Sequence, residues 1–130
     1  MIALAIVAIT MSFAAASYRG YVQRSQRVEA MHALLAAAAE QEKFRLAHGR
    51  YGDRLDGTAG GDPPALLVAS ATPHGRYRLA VESADAAGFL IVALPDGGHA
   101  DPLCARYSID ESGRRSASDR EGRDSTARCW

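Results

Sequence analysis

A chain of 130 residues with fifteen basic and fifteen acidic side chains carries no formal net charge, so bulk electrostatics make no case for a nucleic-acid or anionic-membrane partner. That length holds a single domain, and with a long N-terminal helix set apart, the remaining residues are too few to bury a generous core alone. Such a lobe needs a covalent staple or must take the helix into its core.

The first eighteen residues, Met1 to Tyr18, contain no charge. As a helix they would reach roughly 27 Å, close to the thickness of a bilayer's hydrocarbon. Ile2, Leu4, Ile6, Val7, Ile9 and Phe13 supply the apolar surface, and Ala3, Ala5, Ala8 and Ala14 to Ala16 would let another helix approach closely. Three readings stand open. A cleaved secretory signal is suggested by Ala14-Ala15-Ala16 before Ser17, although no positive charge precedes the apolar run. A membrane anchor fits the length, but Arg19, Arg24 and Arg27 would by the positive-inside bias hold the following domain in the cytoplasm unless a basic leader lies upstream. The third is the buried stem of an assembly.

Helical patterning continues through residues 19–50 as an amphipathic half. Val28, Met31, Leu35, Ala38, Ala39 and Leu46 fall in one sector with Leu34 at its edge, while Arg24, Arg27, Glu40, Lys43 and Arg45 occupy most of the remainder. The first group is expected to pack and the second to be wet. Gly49 is placed to stop the helix, with His48 and Arg50 near the negative end of its dipole. Residues 51–130 then form the head.

A loop from Tyr51 to Gly75, punctuated by Gly57, Gly60, Gly61, Pro63 and Pro64, is expected to hold a short helical turn at Ala65 to Ser70. Three strand patterns come next, at residues 76–82, 88–94 and 103–110. The first turns Tyr77, Leu79 and Val81 inward, the second is apolar on both faces and reads as central, and the third turns Leu103, Ala105, Tyr107 and Ile109 inward. Turn signals at Asp96-Gly97-Gly98 and Glu111-Ser112-Gly113 make an antiparallel meander the simplest arrangement, with a weak fourth strand near 114–117.

The only cysteines are Cys104 and Cys129. Two thiolates without a nearby His or carboxylate cluster make an incomplete metal site, so a disulfide is the better reading, and closing that loop would contribute about 3–4 kcal/mol in the chain-entropy model. It would also tie back a polar tail, 116–128. His32, His48, His74 and His99 are scattered and none is spaced for a metal or a catalytic triad, while Asp96 to Asp101 lacks the ligand density of a calcium loop. No catalytic residue, metal, cofactor or small-molecule substrate is expected. Arg106, Arg114, Arg115, Arg120 and Arg123 are candidate DNA or ligand contacts, together with Arg128, but five acidic residues are interleaved with these six, Asp110, Glu111, Asp119, Glu121 and Asp124. DNA binding is therefore a possibility that net charge does not support.

The order of these segments carries a resemblance. An apolar stem, then Tyr18-Arg19-Gly20-Tyr21-Val22-Gln23-Arg24, an Ala/Leu/Gln/Glu helix ending in His48-Gly49-Arg50-Tyr51, a Gly75-Arg76-Tyr77 strand opening, Asp101-Pro102-Leu103-Cys104 and a terminal Cys129-Trp130 resemble the type IV pilins, specifically minor pilins of the PilE type. The resemblance implies an α+β, pilin-like fold: a long N-terminal helix packed on a three- to four-stranded antiparallel sheet, with a disulfide-closed C-terminal loop. It also implies a structural subunit of a type IV pilus, with pilus assembly, adhesion and twitching motility as its roles. Its partners would be other pilin subunits through the N-terminal helix and the inner membrane before assembly, with a periplasmic head that later becomes part of an extracellular fibre. A pilin acting as a DNA- or ligand-binding module in DNA uptake, and a type II secretion pseudopilin, are the alternatives. The family's basic leader, Gly cleavage site, methylated first residue and early acidic residue do not occur in this sequence, so the chain is expected to start inside the family's helix, from a start assigned too late or a truncated copy.

Overall fold

The computed structural model describes residues 2–130. Helix α1 runs unbroken from Ile2 to His48, about 70 Å at helical rise. It ends at Gly49, whose φ of 72° is left-handed and whose amide donates to the Arg45 carbonyl at 2.8 Å. This is the glycine stop that the sequence predicts. Strands β1 (Tyr77–Ala84), β2 (Phe89–Pro95), β3 (Arg106–Asp110) and β4 (Arg115–Ser118) come after it, then a short helix α2 (Thr126–Cys129). The strands form one antiparallel sheet in the order β1-β2-β3-β4, and the second half of α1 lies across one face of it.

The core between helix and sheet is built from Ala30, Leu34 and Ala37 on α1 and from Tyr77, Leu79, Phe89, Ile91, Ala93, Tyr107, Ile109 and Ala117 on the strands. Alanine at 30 and 37 gives the helix a thin face, which lets it sit close to three large aromatic rings. The central strand is buried on both faces, Val92 included, as its continuous apolar run predicts. On the face away from α1, Arg106 of β3 and Glu82 of β1 form a two-bonded ion pair at 2.5 and 2.8 Å that links the strands on either side of β2.

The helix corrects the expected sector. Its buried line is Ala30, Leu34, Ala37 and Gln41, whereas Val28, Leu35 and Leu46 are exposed, Leu46 at 89 %. Arg27, expected to be wet, points into the head. The reason is pairing: Gln41 is buried because its side-chain amide exchanges two hydrogen bonds with the backbone of Gly52, at 2.8 and 2.7 Å. Arg27 is tolerated inside because Asp101 meets it there.

Two further expectations fail for similar reasons. The helical turn at Ala65 to Ser70 is absent. The backbone there is used across the loop instead, with Leu66 and Val68 paired to Arg54, Asp56 and Gly57 at 2.8 Å. The third strand begins at Arg106 rather than Leu103, because Asp101 and the Cys104 disulfide bend the chain just before it.

The chain itself covers the β4 edge of the sheet and the first half of the β1 edge. Along β1, Ala71 bridges to Arg78 and the Leu79 amide donates to the Ser70 carbonyl at 2.7 Å. Along β4, the Ser125 amide donates to the Ala117 carbonyl, the Ala117 amide donates to Thr126 Oγ1, and Trp130 Nε1 donates to the Ser116 carbonyl at 2.9 Å. This cover restricts strand-to-strand association between heads to the short second half of β1.

Candidate functional site

Three features carry chemistry that the core does not consume. The first is the stem. Its most apolar stretch has no part buried within the fold; Ile2, Leu4, Ile6, Val7, Ile9 and Phe13 are all exposed, Phe13 at 74 %. Such a contiguous apolar surface is stable only against lipid or other apolar helices. Thr10 and Ser12 do not spoil it, because their hydroxyls donate back to carbonyls one turn earlier at 2.9–3.0 Å.

The second feature is the lock between stem helix and head. Arg27 Nε and Nη2 donate to the two carboxylate oxygens of Asp101 at 2.6 and 3.0 Å. Asp101 also accepts from the Cys104 amide at 3.3 Å. Burial alone would push the Asp101 carboxyl up, but the Arg27 hydrogen bond and charge and the backbone amides outweigh it and hold the group below the ordinary aspartate value. Beside the pair lies a run of rings: His99 edge-on to Tyr77, Tyr77 to Tyr107, and Tyr107 to Trp130, with centroids 5.0, 6.0 and 5.9 Å apart. Burial raises the Tyr77 hydroxyl to about 12 and the Tyr107 hydroxyl further still. Both stay protonated in the physiological range.

The third feature is the edge of the head formed by β4 and the C-terminal segment. The predicted disulfide is present, Cys104 to Cys129 with Cα atoms 5.8 Å apart. It fastens the segment that covers β4 and seats Trp130 against Tyr107. The candidate arginines divide. Arg106 is held by Glu82, and Arg123 by Asp119 at 2.8 Å and Glu121 at 3.2 Å. Arg114, Arg115, Arg120 and Arg128 make no ion pair among the described residues. Arg115 stacks on the Trp130 ring, 5.5 Å from its centroid. The strand register sets Arg106 and Arg115 at opposite ends of the β3/β4 ladder, so these two candidates do not lie side by side. The interleaved acids serve the backbone: Asp110 accepts from the Ser112 and Arg114 amides, Asp119 from those of Glu121 and Arg123, and Asp124 from that of Thr126.

The histidines and paired carboxylates are dispersed among separate partners. His74 lies 3.4 Å from Glu29, His99 Nε2 lies 3.1 Å from the Tyr77 hydroxyl, and the His48 ring packs on Phe44. Asp96 and Asp101, at the two ends of the loop considered for calcium, are each taken by an arginine, Arg78 and Arg27. The pairing of Arg27 with Asp101 is not among the sites expected from the sequence.

A family model described as "Type IV minor pilin ComP, DNA uptake sequence receptor" matches residues 16–108. No curated protein matches the chain. Among solved structures, a type IV pilin from Shewanella oneidensis is similar, with 22 % identity, a TM-score of 0.46, and coverage of 71 % of this chain and 88 % of that one.

Proposed function

We propose, from the premise that this chain belongs to the ComP family of type IV minor pilins, that it builds and equips the pilus through separate parts of one molecule. It is a structural subunit of a type IV pilus. Its stem holds the subunit in the inner membrane with the head in the periplasm, and then bundles with the stems of other pilin subunits in the extracellular fibre. The observation that carries this reading is the wholly unburied apolar stem joined to a head with its own packed core and largely covered sheet edges. Lipid contact is exchanged for contact with other stems, so the transfer has little apolar cost. Pilus assembly is the direct role, with adhesion and twitching motility downstream of it. The test is recovery of the subunit in sheared fibres. A charge in the stem, Val7→Asp, should abolish recovery while the head of the full chain in detergent still melts cooperatively. Fibre recovery at the wild-type level would refute the reading.

A second reading, DNA capture during uptake, is favoured by the receptor role in the family's description and by the free arginines of the β4 edge. Arg115 at the start of the strand, Arg114 just before it, and Arg128 on the helix beside it are the proposed contacts, with Arg120 further along; Arg106 and Arg123 would first have to give up their exposed ion pairs. DNA retention by the full chain in detergent should then fall steeply with salt, and Arg115→Ala should reduce the log–log slope by about one. A flat salt response would reject DNA capture and leave the structural role untouched.

A further inference from the structure

A groove lies where the stem enters the head, between α1 and the β2–β3 loop. Tyr18, Arg19, Gln23 and Gln26 line it from the helix and His99 from the loop. No carboxylate is among its lining residues. The nearest acids on the packed elements are already satisfied: Asp101 is held by Arg27, and Glu29 by Arg76 at 3.1 Å. Arg19 makes no ion pair among the described residues. His99 is fixed by its contact with the Tyr77 hydroxyl, so the loop side of the groove is preformed. A cationic guanidinium and two amide side chains, one helical turn apart on one face, therefore converge on a space from which negative charge is absent.

The height of this groove decides its ligand. Arg19 is the first charge after the uncharged stem, and Tyr18 and Tyr21 beside it are exposed, at 68 % and 71 %. Aromatic rings next to a first cation mark the level of lipid headgroups. The headgroup layer is about 5–7 Å deep on each side, which is about four residues of helix, the distance from Arg19 to Gln23. We infer that, while the subunit is stored in the membrane, this groove holds the phosphate headgroup of an anionic phospholipid. Arg19 pairs with the phosphate and Gln23 donates to its oxygens, while Gln26 lines the outer end of the groove. The bound lipid must leave when stems bundle, so the groove couples membrane composition to extraction of the subunit. This inference rests on the membrane-stored state proposed above.

The test is an NMR titration of the full, isotope-labelled chain in zwitterionic bicelles, adding phosphatidylglycerol. The expected result is saturable shifts confined to residues 18–26 and 99–100. Arg19→Gln should weaken the apparent affinity about tenfold. Arg24→Gln, which removes an equally exposed charge outside the groove, should change it less than about twofold, since a diffuse surface attraction would be worth about fivefold at either position. Failure of the chain to insert into bicelles would overturn the membrane-stored state and this inference with it. Insertion without saturable shifts, equal effects of the two substitutions, or the same shifts with inorganic phosphate alone would overturn the lipid site and leave the membrane reading standing.

Discussion

The stem and the head of this chain solve opposite problems. From Ile2 to Tyr18 every described side chain is exposed and the stem packs on no other part of the fold; in the head, the β4 edge, the first half of the β1 edge and the buried charged groups find partners within the lobe, the buried Tyr107 hydroxyl being the exception. The head's small core is reinforced by a disulfide, a buried ion pair and a buried amide pair, Cys104 with Cys129, Arg27 with Asp101, and Gln41 with Gly52. The difference teaches that association is assigned to one part and self-sufficiency to the other. Mutations should therefore separate cleanly: those in the head change melting, and those in the stem change location.

The largest effect is expected at the buried ion pair. Asp101→Ala strands the Arg27 guanidinium and should lower head stability by about 3–5 kcal/mol in denaturant melts. The same carboxylate gives a pH dependence. Its value is held down in the folded state, so its contribution is complete above the unfolded aspartate value of about 3.9 and is lost as pH falls through the lower folded value. Wild-type stability should fall below about pH 4 more steeply than that of Asp101→Asn. Next comes the staple. Replacing Cys104 and Cys129 by serine should cost about 3.5 kcal/mol and should loosen the cover of β4, seen as faster amide exchange at Ala117. In the stem, Val7→Asp should disfavour insertion by about 2.5–3.5 kcal/mol and leave the head's melting unchanged; a matching loss of head stability would break the division between the two parts. The smallest effect belongs to the outward line of α1, where Leu46→Ser should change stability by no more than about 0.5 kcal/mol.

Much of this was legible in the sequence because it is written in local signals. The uncharged run sets the stem, the Gly49 stop ends the helix, the alternation around Leu79 and the continuous apolar run around Ile91 mark strands, and the two lone cysteines pair. What was not legible depends on contacts between distant segments. The helix buries Gln41 and Arg27 and leaves Leu46 out, because Gly52 and Asp101 offer partners that no periodicity reveals. The short helix expected at Ala65 to Ser70 is displaced by backbone pairing with Arg54, Asp56 and Gly57. The candidate arginines could be gathered in sequence but not in space, since only the register separates Arg106 from Arg115 and only the side-chain pairing shows which of them remain free.

Hydrogen exchange, followed residue by residue on the full chain in bilayers and again in sheared fibres, tests the central division most directly. The account predicts that amides from Ile2 to Tyr18 are protected in both settings, by lipid in one and by neighbouring stems in the other, while protection across β1 to β4 is the same in both. Rapid exchange along the stem within fibres, or a head whose strand protection changes on assembly, would contradict it.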